Sequence, residues 1–303
     1  MATPRSRLID ENLPLHYHLI SRCVRRSWLC GRNSGKNYNH RRQWLKSRLF
    51  HLAKYFAVEV DAYTIMSNHF HLVVFYDPLA CNTWSDSEVA YRWTEAFPPR
   101  LVEHNQEELE LRKQWQIESL LESPDRLASA RVCLGSLSAF MKHLKQPIAW
   151  RANREDKCTG HFFEGRFYSG ALLCEEAVLA AMAYVDLNPV RAKIASSIEQ
   201  CSDSSIAMRL QVNSPERLRE ALVPLVSGTS CPRPLTMTLA EYIKHLRLLT
   251  DEPESSHRSE AEHRWFASVA AIRRRQRAYG LVDDLKDWMM RHRYKRIGHI
   301  LPG

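Results

Sequence analysis

The chain lacks any hydrophobic run of membrane-spanning length. Its 303 residues have a mean hydropathy of -0.40, and no stretch of about 18 apolar residues occurs, so we expect no transmembrane helix. The first residues, MATPRSRLIDENLP, contain no basic segment followed by an apolar stretch. The sequence therefore gives no indication of a signal peptide and predicts a cytoplasmic protein.

Several other sequence features are scarce or missing. Glycine is limited to 10 residues, and 45% hydrophobic and 25% charged residues are ordinary contents, which excludes collagen-like, low-complexity and fully disordered classes. No two of the eight cysteines have C-x-x-C spacing. This argues against a zinc ribbon or a thioredoxin-type motif and favours reduced thiols. No G-x-x-x-x-G-K-[ST] segment occurs, so no nucleotide-binding P-loop is predicted.

Basic residues outnumber acidic ones. The 43 Lys and Arg against 34 Asp and Glu give a net charge of +9 and a pI of about 9.2. Such an excess attracts polyanions, with nucleic acid as the first candidate, although a ribosome or membrane surface attracts the same charge. The excess is concentrated at the C-terminal end, because residues 257–303 carry +6 whereas residues 79–128 carry −5.

Hydrophobic periodicity predicts a mixed α+β chain. Strands are predicted at 14–23, 58–66 and 69–76 and within HFFEGRFYSGALLC, with a tight Ser67-Asn68 turn before the third strand. Helices are predicted at 40–57 and 129–151 and from Glu175 to near Asn188, where Pro189 kinks or ends the helix. The order β-α-β-β-(insertion)-α-β-α favours a ferredoxin-like sandwich, an antiparallel sheet with helices on one face. We assign this domain to residues 1–204, with a helical surface insertion at about 79–128 and a mostly helical region at 205–303.

His69-Phe70-His71 is the sharpest motif. Because side chains alternate along a strand, both imidazoles point to one face while Phe70 points into the core. Two neutral imidazoles at this spacing can bind one divalent metal ion, although two polar residues on an exposed strand give the same pattern. The first strand carries His16-Tyr17-His18 with identical spacing. We place the ligands at His69 and His71, because their strand continues into a long apolar run, leaving open that His18 lines the same site.

Tyr184 and Asn188 lie four residues apart on one predicted helix face. A phenol can attack phosphorus when a metal ion polarises the phosphate, and an amide oxygen is a suitable ligand for Mg²⁺ or Mn²⁺. Taken alone, Tyr184 is one of 11 tyrosines and equally typical of a packing residue, and Asn188 of a helix end. Glu164 and Asp186 lie nearby in sequence and are interpreted as solvated carboxylates.

These motifs together resemble a known family. MSNHFHLVV resembles the HUH motif of single-tyrosine transposases, and GHFFEGRFYS followed by AMAYVDLNPVRA is similar to the distal half of that domain. The closer resemblance is to the bacterial REP-associated tyrosine transposases. PLHYHLISRCVRR is similar to their first strand and LSAFMKHLKQPIAWRAN to their second helix. The resemblance covers about residues 5–200 without the insertion at 79–128, and the region from about 205 departs from the family core.

The resemblance implies a metal-dependent enzyme that cleaves and rejoins DNA strands. His69 and His71 match the metal ligands and Tyr184 the nucleophile, and Asn188 stands where a polar residue completes the metal site. The implied cofactor is Mg²⁺ or Mn²⁺, the substrate is single-stranded or hairpin DNA of REP type, and the intermediate is a 5′-phosphotyrosine. Relatives include monomers and dimers. A nucleoid-associated location in the cytoplasm, without a membrane partner, follows from this function.

Two other functions stay open on the sequence. The chain could be a DNA-binding regulator of repeats or transcription that does not cleave. It could also be a metal-dependent phosphoesterase in which His69 and His71 activate water, which predicts no covalent adduct with DNA.

Arginines are the candidate DNA-binding residues. A cluster at 273–277 is interleaved with aromatic residues, which suits phosphate contacts and base stacking, although a helix with a solvated basic face has the same composition. We hypothesise that the basic C-terminal tail, residues 257–303, adds contacts with DNA outside the catalytic domain and supplies no catalytic groups. The alternative is that its apolar residues, such as Trp265 and Trp288, pack on the core. The full set of candidates is Arg22, Arg25, Arg26, Arg166, Arg273, Arg274, Arg275 and Arg277.

Overall fold

The strands fall mainly in the first 172 residues of the chain. The computed structural model describes residues 4–24, 28–33, 35–100, 105–212, 214–229, 232–250 and 259–294. Within these ranges the strands are β1 (Leu15–Arg22), β2 (Arg32–Asn33), β3 (Lys36–Asn37), β4 (Val58–Ile65), β5 (His69–Tyr76), β6 (Tyr168–Leu172) and β7 (Ala278–Tyr279).

Helices fill the connections and the C-terminal third. In chain order they are α1 (His40–Ala53), α2 (Ala80–Thr83), α3 (Asp86–Ala96), α4 (Gln106–Leu121), α5 (Pro124–Leu134), α6 (Leu137–Glu155), α7 (Glu175–Asp186), α8 (Asn188–Arg191), α9 (Ser205–Arg209), α10 (Pro215–Arg219), α11 (Leu239–Thr250), α12 (Glu260–Ile272) and α13 (Val282–His292). None of the helices in the described ranges is long and apolar enough to cross a membrane.

The main sheet has the strand order β4-β5-β1-β6-β7. Neighbouring strands are antiparallel except for β6 and β7, which pair in parallel. The predicted α+β class and the order of strands and helices are confirmed, and β2 and β3 add a small separate hairpin. In this order β5 and β1 are adjacent interior strands, so their side chains can form one site.

Each face of the sheet has its own core. On one face, Leu19 of β1 and Leu72 of β5 pack with the apolar stripes of α1 and α6. These are two of the predicted helices, but the sheet has helices on both faces and not on one face as predicted. On the other face, Val73 of β5 packs with α7, α11 and α12. The helix that carries Tyr184 therefore covers the face to which His69 and His71 point, because Val73 shares their side of β5.

Two predicted helices differ from the structure. The helix predicted at 40–57 ends at Ala53, and the one predicted at 129–151 is two helices, α5 and α6, separated at Gly135 and Ser136. The Ser136 side chain accepts a hydrogen bond from the backbone N–H of Ala139, so it caps α6. A Cβ added at Gly135 would lie 2.5 Å from the Cys81 sulfur. This close contact explains glycine at the junction.

The C-terminal region packs directly on the sheet and on α7. β7 adds a strand beside β6, and buried residues of α11 and α12, such as Leu246 and Ile272, share one core with α7. Trp288 of α13 is fully buried in the other core. These contacts agree with the alternative in which the tail packs on the core.

Candidate active site

His69 and His71 occupy one face of β5, as predicted. Their ring centroids are 4.9 Å apart, and Phe70 between them is fully buried in the opposite core. His71 is 1% exposed, whereas His69 is partly exposed beside Arg22, its cross-strand partner on β1. The pair therefore has one buried imidazole and one that solvent can reach.

A third imidazole joins the pair from β1. His18 Nε2 lies 2.9 Å from His71 Nδ1, and the two rings are stacked with centroids 5.2 Å apart. His16, with the same spacing in sequence, lies instead 3.6 Å from the Asp61 carboxylate. The structure thus separates the two histidines of β1 that sequence spacing left equivalent: His18 lines the site and His16 contacts a different group.

Hydrogen bonds indicate which imidazole nitrogens of His69 and His71 are available. His69 Nδ1 is 2.6 Å from Asn68 Oδ1, and because an amide oxygen only accepts, Nδ1 carries the hydrogen and Nε2 a lone pair. His71 Nε2 is buried and has no hydrogen-bond partner in the described part of the chain. When His71 Nδ1 donates to His18, this Nε2 also carries a lone pair. Partners that orient a histidine through its second nitrogen are typical of metal sites.

Burial keeps the three imidazoles neutral. It lowers the pKa of His18 to about 3 and that of His69 to about 4, with the nearby Arg275 acting in the same direction at both. The pKa of His71 is lowered well below its usual value, first by burial and then by its histidine neighbours. Neutral imidazole is the form that binds metal ions.

Tyr184 lies over this histidine cluster from α7. The centroid of its ring is 5.8 Å from that of His18 and 5.7 Å from that of His71. The side chain is partly exposed, and its hydroxyl makes no hydrogen bond within the described residues. The guanidinium carbon of Arg191 is 5.3 Å from the centre of the ring, within range of a cation–π interaction. A phenol in this position is accessible and has positive charge beside it.

Tyr168 and Tyr17 are engaged elsewhere. The Tyr168 hydroxyl donates to the backbone carbonyl of Gln276, and burial raises its pKa well above the usual value. The Tyr17 hydroxyl accepts from the backbone N–H of Asp10 on the opposite face of the sheet. Of Tyr184, Tyr168 and Tyr17, the geometry favours Tyr184 as the nucleophile.

Asn188 lies just beyond the end of α7. Its Nδ2 donates to the Tyr184 carbonyl oxygen over 3.1 Å, so the side chain satisfies a backbone carbonyl at the end of the helix. Within the described residues, no group of three or more His, Cys, Asp or Glu is arranged to hold a metal ion. The assignment of Asn188 as a further ligand stays a prediction.

Asp186 corrects one expectation from the sequence. Glu164 is exposed as expected, but Asp186 is fully buried. Its carboxylate accepts hydrogen bonds from the Ser205 hydroxyl, the Ile206 backbone N–H and the Tyr242 hydroxyl. It therefore links α7 to α9 and α11 rather than facing solvent.

The arginine cluster forms a turn, not a helix face. α12 ends at Ile272, and residues 273–277 lead into β7. Arg275, at a left-handed φ of 53°, is exposed and close enough to lower the pKa of all three site histidines. Burial lowers the pKa of Arg191, and the charge of Arg273 lowers it further. The charge of Arg275 therefore acts on the candidate site, and the hypothesis that the tail supplies no catalytic groups stays a prediction.

The remaining predicted arginines have different surroundings. Arg274 and Arg277 are exposed on the same turn, and Arg277 lies 4.6 Å from the Tyr294 ring centroid. Arg166 is exposed. Burial of Arg5 lowers the pKa of the Arg5 guanidinium, and the nearby charge of Arg166 lowers it further. Arg25 and Arg26 lie outside the described residues. Sequence reasoning did not select Arg191, although its position seven residues after Tyr184 is a helical spacing that could have identified it.

Comparison with known proteins adds a remote likeness. No family model matches the chain, and no curated protein matches it. A solved structure of a REP-associated tyrosine transposase bound to a REP hairpin aligns with 76% of this chain and 99% of its own, at 11% identity and a TM-score of 0.41.

Proposed function

We propose that this protein cleaves and rejoins DNA strands with Tyr184 as the nucleophile and a divalent metal ion as cofactor. The observation that carries the proposal is the position of an accessible phenol, with no hydrogen bond in the described part of the chain, over the stacked His18–His71 pair and beside Arg191. The sequence resemblance supports the same assignment.

Two histidine nitrogens support the choice of a metal cofactor. His71 Nε2 is buried without a partner among the described residues, and the contact of His69 with Asn68 leaves its Nε2 lone pair available. These two nitrogens, with Asn188 as a third donor, would hold Mg²⁺ or Mn²⁺. When bound, the ion would polarise a non-bridging oxygen of the scissile phosphate.

The chemistry of the chain's own residues follows from this arrangement. The Tyr184 oxygen attacks phosphorus and gives its proton to solvent water, while the bond from phosphorus to the 3′ oxygen breaks and that oxygen takes a proton from water and leaves as a hydroxyl. Arg191, Arg273 and Arg275 place positive charge near the phosphate as negative charge develops on it. The product is a 5′-phosphotyrosine, the linkage that the family resemblance implies. Its phosphodiester energy is retained, so attack by a second 3′-hydroxyl rejoins DNA without ATP.

A labelling experiment tests the proposal. The full-length protein is incubated with single strands that carry an imperfect hairpin and a label at the 3′ end, with Mg²⁺, with Mn²⁺ and with EDTA, and analysed on denaturing gels. We expect a metal-dependent labelled band at the mass of the protein. Cleavage without this band would indicate a phosphoesterase that uses water. Binding without cleavage would indicate a regulator.

A further inference from the structure

A basic and aromatic cavity, separate from the candidate active site, lies on the other side of the sheet from Tyr184. It has a volume of about 460 Å³ and is formed between α6 and the segment 160–167, which places it beside the core that contains α6 rather than the one that contains α7. Its size is within the range of cavities that bind small ligands. None of its lining residues takes part in the chemistry proposed above.

Aromatic rings form the floor and the rim of this cavity. Phe162 and Phe163 are buried at its base, with ring centroids 5.0 Å apart. Trp150 of α6 also lines it, yet is 61% exposed. An indole that stays accessible beside a cavity is available for stacking on a planar ligand, and nucleic-acid bases are the planar ligands that suit cationic surroundings.

The charges around the cavity favour an anion. Three cationic side chains line it, Arg5, Lys142 and Lys145, against one carboxylate, Glu164. Arg5 Nη1 is buried without a hydrogen-bond partner among the described residues, although the guanidinium carbon lies 3.6 Å from the centre of the Phe167 ring. A phosphate oxygen would satisfy this unpaired donor.

The cavity is connected to the candidate active site through the end of β1. Glu164 N–H donates to the Arg22 carbonyl oxygen over 2.8 Å, and Cys23 forms a β-bridge with Phe163. Arg22 lies opposite His69 on the active-site face, whereas the next residue, Cys23, belongs to the core on the other face. A DNA strand held at Tyr184 would pass around this one strand end to reach the cavity.

We infer that this cavity binds a nucleotide of the single-stranded DNA that flanks the cleavage site, stacking its base on Trp150 and pairing its phosphate with Arg5 and Lys142. The inference rests on the proposed function for the identity of the strand. Its residues contribute to affinity and to the choice of strand, not to bond breaking.

Binding by a non-cleaving protein tests the inference. In a Tyr184→Phe background, the affinity for fluorescein-labelled hairpins with a single-stranded flank is measured by anisotropy at several salt concentrations. Trp150→Ala should weaken binding by roughly five- to a hundredfold, the range for losing a base-stacking aromatic. Lys142→Ala should reduce the salt slope by about 0.7, the value for one single-strand phosphate. Trp115→Ala, at an equally exposed tryptophan of α4, and Lys54→Ala should leave both quantities unchanged.

A base analogue locates the stacking. With 2-aminopurine placed at successive flank positions, one position should be quenched on binding, and Trp150→Ala should remove that quenching. Equal affinities of Trp150→Ala and Trp115→Ala would overturn the inference. Binding of an oligoglutamate peptide with the same dependence on Trp150 would also overturn it, in favour of a protein partner.

The adduct assay on the unmodified protein separates this inference from the proposed function. If the adduct forms and Trp150→Ala binds DNA as tightly as the protein without this substitution, nucleotide binding in the cavity is refuted and the proposed chemistry is not. No adduct, together with a Trp150-dependent loss of DNA binding, refutes the chemistry alone. Absence of any DNA binding refutes both.

Discussion

At the scale of single residues, the hydroxyl of Tyr184 is the most direct test of the chemistry. Tyr184→Phe keeps the ring that packs near His18 and His71 and removes one oxygen. We expect the covalent adduct to disappear and cleavage to fall by about four or more orders of magnitude, as loss of a nucleophile does. Hairpin binding should stay within a few-fold. Gel assays of adduct and cleavage, with anisotropy for binding, measure these quantities.

Tyr168→Phe is the matched control for this substitution. Its hydroxyl is hydrogen-bonded to the Gln276 carbonyl and is not available for attack, so this variant should still form the adduct. An adduct that persists in Tyr184→Phe and vanishes in Tyr168→Phe would identify Tyr168 of β6 as the nucleophile instead.

The histidines make a second prediction at this scale. His69→Ala and His71→Ala should each abolish cleavage and weaken Mn²⁺ binding, measured by calorimetry in the Tyr184→Phe protein so that metal affinity is separated from turnover. His16→Ala should change Mn²⁺ affinity little, because His16 contacts Asp61 and Phe75 rather than the pair. If His16→Ala is inactive while His69→Ala cleaves normally, the metal ligands lie on β1 and not at His69 and His71.

Residue types and spacing predicted part of this site. The alternation of β5 places His69 and His71 on one face, and helical spacing places Asn188 after Tyr184. The contact of His18 with His71 depends on the register of β1 with β5, which connects residues 53 positions apart. No local pattern contains that register. The sequence therefore left open whether His18 lines the site, and it did not predict that Arg275 lies near the histidines.

At the scale of elements, long-range contacts decided where the predicted helices end. The break at Gly135 is held by the Tyr76 hydroxyl, which donates to the Gly135 carbonyl, and by Ala57 N–H, which donates to the Leu134 carbonyl. At the end of α12, the Tyr279 hydroxyl donates to the Ile272 carbonyl and accepts from Gln276 N–H. Periodicity extends a helix until a breaker appears in the sequence, whereas the Leu134 and Gly135 carbonyls are satisfied by partners far away along the chain.

The turn at 273–277 gives a prediction for an element. Its position beside β6 requires Gly170, where an added Cβ would lie 2.9 Å from the Gln276 carbonyl oxygen. Arg273→Ala with Arg275→Ala should slow cleavage and reduce the salt slope of single-strand binding by up to about 0.7 for each phosphate that the turn no longer neutralises. Titration of DNA binding against salt, together with single-turnover cleavage, measures both effects.

Arg219→Ala provides the control for the loss of charge. Arg219 is an exposed arginine of α10 outside the turn, so its removal should leave cleavage and salt slope unchanged. Equal effects of the two variants would mean that net charge, and not the position of the turn, determines DNA binding.

At the scale of the whole molecule, the sequence predicted the α+β class but not how far the tail contributes to the fold. The alternation within β1, β4 and β5 is a local property, and it identified the strands. The two-residue strand β7 is too short for such a pattern, and its parallel pairing with β6 joins residues more than 100 positions apart. Only the folded chain shows that the sheet is completed by a C-terminal segment.

A chain that ends at residue 204 should therefore fail to fold. The truncation removes Tyr242 and Ile272 from the core around α7 and Trp288 from the core on the other face, all of them buried. It also removes Ser205, Ile206 and Tyr242, the donors to buried Asp186, which would leave a carboxylate buried without partners. Each buried apolar side chain contributes about 1.5–3 kcal/mol, so the loss of these three alone is comparable to the roughly 5–15 kcal/mol that stabilises a typical domain. Circular dichroism melts and limited proteolysis should show no cooperative transition for the shortened chain, whereas the full-length Arg273→Ala, Arg275→Ala protein should melt as the unmodified protein does. A shortened chain that melts cooperatively and forms the Tyr184 adduct would refute this prediction and restore the tail to an accessory role in holding DNA.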